Sequence, residues 1–197
     1  MVANPPLSKI EVVPATADRW ADVETIMGRG GEKGCWCQAP RGVAVGYGAS
    51  EPGARRAALR AQLDDDPPAG MLAYVDGRVA GWCGFGPRLR LPRLERSRTI
   101  PKVDDEPVWS ILCFLVVPGF RRRGIAAALL DGVVAFARRS GAPGVEAYPI
   151  DPEGGRVDVS FGYVGVTPMF EKAGFVRVVE TGAHSDRRPR ILMRLMF

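Results

Sequence analysis

Histidine, cysteine and long apolar runs are scarce in this chain, and each shortage removes a class of function. Among 197 residues there is one histidine, His184, and there are four cysteines. No apolar run approaches the ~20 residues that a membrane-spanning helix needs. His184 lies among Ser185, Asp186, Arg187 and Arg188 in an expected hairpin loop, where it reads as a solvated turn residue rather than a catalytic one. Cys35 and Cys37 are one residue apart, closer than structural zinc pairs usually are, and Cys83 and Cys113 fall in apolar strands where cysteine behaves as a small hydrophobe. No metal is expected. Met1 to Ile10 lacks a basic region followed by a long apolar segment, so no signal peptide is expected, the thiols read as reduced, and the cytoplasm is the expected location.

What is present is the composition of a globular α/β domain. Hydrophobic residues make up 46% and charged residues 25% of the chain, and a single domain of this length buries roughly 70% of its unfolded surface. The net charge of +5 suits a polyanionic ligand, although the same field attracts nucleic acid. Lys9 to Val13 reads as a strand, followed by a helix through Trp20, Val23, Ile26 and Met27 that ends at Gly28. Gly30 to Gly48 reads as a loop, and Ser50 as the start of a second helix through Leu59 and Leu63. Met71 to Val75, the Asp76-Gly77 turn and Val79 to Phe85 form the clearest hairpin. Residues 88–106 break periodicity and read as an inserted loop. Trp109 to Val117 is apolar enough to be a strand buried on both faces. Val145 to Ile150, Phe175 to Glu180 and Ile191 to Met196 read as further strands, with a short helix over Val166 to Ala173.

The most informative stretch is Arg121, Arg122, Arg123, Gly124, Ile125 and Ala126, between the apolar strand and a helix that buries Ile125, Leu129, Val133 and Phe136. A helix N-terminus carries unpartnered N–H groups and positive potential, so three arginines there repel the dipole and one another unless an anion is bound. Gly124 permits close backbone approach and Ala126 keeps the second turn small, a combination suited to a pyrophosphate. Arg121, Gly124 and Ala126 match the coenzyme-binding signature of the GCN5-related N-acetyltransferases, and the sequence resembles that family. Leu115 to Phe120 resembles its strand end and turn, and Met169 to Phe175 its later helix-to-strand motif.

The resemblance implies a mixed, mostly antiparallel sheet with helices on both faces, acetyl-coenzyme A as cosubstrate, an amine acceptor and a possible homodimer. It implies that backbone groups near Leu115 and Val117 pair with the pantetheine arm and that amides of Arg122, Arg123, Gly124, Ile125 and Ala126 hold the pyrophosphate. A strand-end amide near Val116 would polarise the thioester carbonyl. Phe170 occupies the position where the family often has a tyrosine that protonates the departing thiolate. Tyr163 is the leading substitute and Tyr148 the second. For the base, Glu146 leads because burial in an apolar strand raises a carboxyl toward a useful value, with Asp151 and Glu106 as alternatives. Trp36 is a candidate wall of the acceptor pocket. The alternatives to an N-acetyltransferase are a catalytically weak acyl-coenzyme A sensor or scaffold and, least favoured, a nucleic-acid binder using the basic insertion.

Overall fold

In the computed structural model, which describes residues 9–29, 34–41, 51, 53–158 and 161–197, the apolar runs become seven strands. These are β1 (Ile10–Pro14), β2 (Gly70–Val75), β3 (Arg78–Pro87), β4 (Trp109–Val116), β5 (Gly144–Ala147), β6 (Val176–Ser185) and β7 (Arg188–Met196). They join one sheet in the order β1-β2-β3-β4-β5-β7-β6, antiparallel except where β4 lies beside β5. The helices are α1 (Trp20–Met27), α2 (Ala54–Gln62), α3 (Pro92–Glu95), α4 (Ile125–Arg139) and α5 (Thr167–Lys172).

Alternating side chains send each strand's residues to opposite faces. On one face Met71, Phe85, Ile111 and Phe114 join Leu129, Val133 and Ala137 of α4 and Phe170 of α5. On the other, Leu72, Trp82, Leu112 and Leu192 join Val23 and Ile26 of α1 and Leu59 of α2. The 88–106 segment belongs to this second layer. It carries a 3-10 turn over Arg88–Arg90 and the short α3, and it buries Leu91, Leu94 and Ile100.

The Asp76-Gly77 turn has both φ angles positive, at 50° and 69°, as the dipeptide predicts for a primed hairpin. Asp186 and Arg187 adopt the same region at 53° and 60° without a glycine. The β6–β7 hairpin therefore runs further toward its turn than the sequence expectation, and exposed His184 pairs with Pro189 inside it. The expected helix start at Ser50, and most of the Gly30 to Gly48 loop, lie outside the described residues. Cys35 to Cys37 are described, and Trp36 packs away from solvent against Trp20, with ring centroids 6.1 Å apart. Its place is in the core of the second layer.

Gly84 of β3 supplies a socket for that loop. A Cβ at this position would collide with Cys37 Sγ and stand 3.2 Å from Trp82 Nε1 and 3.4 Å from Cys113 Sγ. Gly84→Ala accordingly costs about 1–3 kcal/mol in urea denaturation, the usual range for overpacking a closed site. Combining it with Cys37→Ala, which vacates the space, recovers part of that loss. Strictly additive effects of the two substitutions would show that the contact is not the cause.

Candidate active site

The site starts from a counting irregularity in β4. Gly84 pairs with Cys113, but Phe85 pairs with Ile111, so Leu112 is an extra residue without a partner on β3. Such a bulge bends its strand and increases the local twist. β5 runs beside β4 only through Trp109↔Val145 and Ser110↔Glu146. Beyond those two pairs β4 continues to Val116 without β5, and a gap opens in the middle of the sheet.

Backbone direction in this gap corrects part of the sequence reading. Val117 N–H donates to Ala80 O at 2.9 Å, and its carbonyl accepts from Phe120 N at 2.8 Å, so neither group is available to a ligand. Antiparallel ladders alternate, so Leu115, two residues earlier, directs its groups at Trp82 of β3. The backbone groups turned toward the gap belong to Phe114 and Val116. The Val116 carbonyl accepts from Arg121 Nε at 3.3 Å.

The gap leads to the start of α4. Arg122 and Gly124 have φ of 58° and 80°, and Gly124 is the N-cap without any side-chain cap. The first-turn amides are thereby left for a ligand. A cleft of about 260 Å³ lies over them, lined by Val116, Arg121, Arg122, Gly124, Ile125, Ala126, Ala127 and Met169. Two side chains stand outside the cleft. Arg123 stacks over the Phe120 ring at 5.7 Å and is not among the lining residues. Phe170 is fully buried, edge-on to Phe114 and Phe175, so its ring belongs to the core and its neighbour Met169 meets the cleft.

Glu146 is the centre of a buried charge network on the opposite, α1–α2 face. Arg88 Nη1 lies 2.6 Å from its Oε1 and Arg194 Nη2 lies 2.8 Å from its Oε2. The Tyr148 hydroxyl donates a short hydrogen bond to Oε1, and Ser110 donates to the same oxygen at 3.2 Å. Arg88 also pairs with Glu95 at 2.7 Å, and Arg194 pairs with Asp104, so both ends of the insertion are tied to the sheet through this carboxylate. Burial by itself pushes the Glu146 carboxyl up. The hydrogen bonds from Tyr148, Arg194 and Arg88 outweigh it and hold the carboxyl below the usual range, opposite to the expected rise. Burial, with the Glu146 charge, pushes Tyr148 well above the ordinary phenol range.

The other candidates are more scattered. Asp151 pairs with Arg177 at 2.5 Å, which lowers its carboxyl. Glu106 is exposed at the end of the insertion. Tyr163 stands in a 3-10 turn over Gly162–Val164 that packs against β4, and 42% of it is exposed. Sequence reasoning missed Met169 and the arginines of the charge network. A signal for Arg190 and Arg194 was present, since they alternate with Leu192 on the face of β7 that also carries Arg188.

Cys37 has an unusual setting of its own. Its sulfur lies 3.4 Å from that of Cys113. The Cys113 contact, opposed by burial and aided by the Arg41 guanidinium and Trp82 indole, pulls the Cys37 thiol down to about 6, while Cys113 is raised. Among the described residues, no three metal-ligating side chains converge.

A family model described as the Acetyltransferase (GNAT) family matches residues 31–153, more than half of the chain. No curated protein matches the sequence. An N-acetyltransferase from Staphylococcus aureus superposes with a TM-score of 0.56 at 15% identity, over 96% of this chain and 99% of that one. A ribosomal-protein-alanine N-acetyltransferase from Brucella melitensis gives 0.57 at 15% identity, over 95% and 99%. The NatC complex bound to Gag peptide and CoA gives 0.56 at 14% identity, over 96% and 99%. These likenesses are of fold. Together with the family match over the arginine-rich turn, they place the chain in the GNAT acetyltransferase family.

Proposed function

We propose that the protein transfers an acetyl group from acetyl-coenzyme A to a primary amine. The observation that carries this reading is the continuity of the gap beside β4 with the uncapped start of α4. In this reading the pyrophosphate rests on the amides of Arg122 to Ala126, with Arg121 and Arg122 beside it, and Met169 borders the cleft. The pantetheine follows Phe114 and Val116, whose strand-end amide is in place to polarise the thioester carbonyl as negative charge develops on its oxygen. The cosubstrate supplies the activated acetyl group; the chain orients it and limits the routes by which amine and water reach it.

Tyr163 is the proposed acid. It is exposed and its turn borders β4, whereas Tyr148 donates its proton inward to Glu146. Glu146 and Asp151 carry their charge against arginines and are both lowered, so neither suits a base near neutral pH. The amine is therefore proposed to attack as the free base and to lose its second proton to water in the open gap. Tyr163→Phe is expected to lower kcat by about 10- to 100-fold, with KM for acetyl-coenzyme A nearly constant. Coenzyme A thiol release followed with a coloured disulfide reports both constants. A kcat within twofold of the parent would remove Tyr163 from the reaction. No thiol release across a broad amine panel, with cosubstrate still bound, would favour the binding-module reading.

A further inference from the structure

We propose that the acceptor carries a carboxylate in addition to its amine, and that Arg190 binds that carboxylate. This deepens the transferase reading and rests on it. Arg190 stands on β7 two residues from Leu192 and four from Arg194, which fixes its face as the one that holds Tyr148 and the Glu146 network. Its Nε donates to the Tyr148 carbonyl at 2.8 Å. Ile150, just past β5, pairs with Arg190 on one side and Val166 on the other, so Arg190 stands next to the end of β5 on the side away from Val166.

Charge counting on this face sets Arg190 apart. Arg88 is matched by Glu95 and Glu146, and Arg194 by Asp104 and Glu146. Arg190 forms no ion pair among the described residues, and Nε is the part of its fork with a hydrogen-bond partner there. Tyr163 and Tyr148 are the titratable side chains that act on it, and no carboxylate pairs with it among the described residues. Burial works against its charge.

Arg190 is half-buried, so part of its hydration is lost while no charged group among the described residues replaces it. The two Nη groups form a planar fork that matches the two oxygens of a carboxylate. An acceptor held there by its acid group would present its amine along the face bordered by Tyr163. Putrescine-like amines lack the group that this fork selects, whereas amino acids and the free C-terminus of a short peptide carry it.

The test uses acceptor pairs that differ only in the acid group: tyramine against tyrosine and cadaverine against lysine, with tyrosinamide as a neutral control. A third arm compares a short lysine-bearing peptide with a free C-terminus to its amidated form, separating small amino acids from peptide ends. Coenzyme A release should favour the acid member of a pair by at least about tenfold in kcat/KM, mostly through KM. Arg190→Gln should collapse that ratio toward one, and Arg190→Lys should retain part of it. Equal kcat/KM within the pairs, or a preference that survives in Arg190→Gln, would overturn the proposal. If no amine turns over, the transferase reading fails first, and the carboxylate site is judged by calorimetry. With coenzyme A present, N-acetyltyrosine should then bind more tightly than N-acetyltyramine, and Arg190→Gln should abolish the difference; equal binding in the parent protein would reject the site.

Discussion

Gly124→Glu is expected to weaken acetyl-coenzyme A binding by about 100-fold or more in titration calorimetry, if the proposed phosphate site is right. Gly124 has φ of 80° and nothing within 4 Å of a Cβ built on it, so a side chain there projects into the open cleft. A carboxylate at that point competes with the pyrophosphate for the α4 amides and repels it. Two lost charge-assisted hydrogen bonds at about 1.5–3 kcal/mol each account for a hundredfold or larger change. Left-handed backbone adds roughly 1–2 kcal/mol of strain for any non-glycine residue. Gly124→Ala separates the two contributions because it keeps the strain and omits the charge. Affinity within threefold of the parent in Gly124→Glu would mean that the phosphates lie elsewhere.

Glu146→Gln has the other large effect, on folding. Removing one charge leaves Arg88 and Arg194 facing each other through a neutral amide, with 4% and 9% of their side chains exposed. Breaking a buried ion pair by deleting one partner costs about 3–5 kcal/mol, and because Glu95 and Asp104 still face the two arginines the loss should fall toward the lower end of that range. Urea midpoints should fall accordingly, and a loss under 1 kcal/mol would contradict the network. The pH dependence has a defined sign. Because the folded Glu146 carboxyl lies below its unfolded value of about 4.3, its contribution is complete above that pH and disappears as pH falls through the folded value. The parent protein should therefore lose more stability on acidification below about pH 4 than Glu146→Gln does.

Much of the fold was legible because apolar periodicity and turn chemistry are local. The Asp76-Gly77 hairpin, the doubly buried β4 and the helix after Gly124 all follow from neighbours in sequence. The start of α4 was legible for the same reason, since a helix start and its glycine are contiguous. Pairing direction was not. Whether Leu115 or Val116 faces the gap depends on the Leu112 bulge and on the Val117–Ala80 hydrogen bond, and both require β3 to be in place. The state of Glu146 was hidden for a related reason: its partners come from β4, the insertion and β7, so sequence showed a lone acid in an apolar strand. Phe170 follows Met169 in the sequence, but α5 turns the Phe170 ring into the core and offers Met169 to the cleft.

The bulge at Leu112 divides β4 into two reading frames. Before it, Trp109 and Ile111 point at the α4 layer; after it, Phe114 and Val116 do, a change from odd to even positions within one strand. A strand of unbroken parity would carry Cys113 and Leu115 toward α4 and turn the Phe114 and Val116 peptide groups back into the ladder with β3. One unpaired residue thus acts as a phase shift, releasing alternate peptide units from the sheet at the place where the sheet parts.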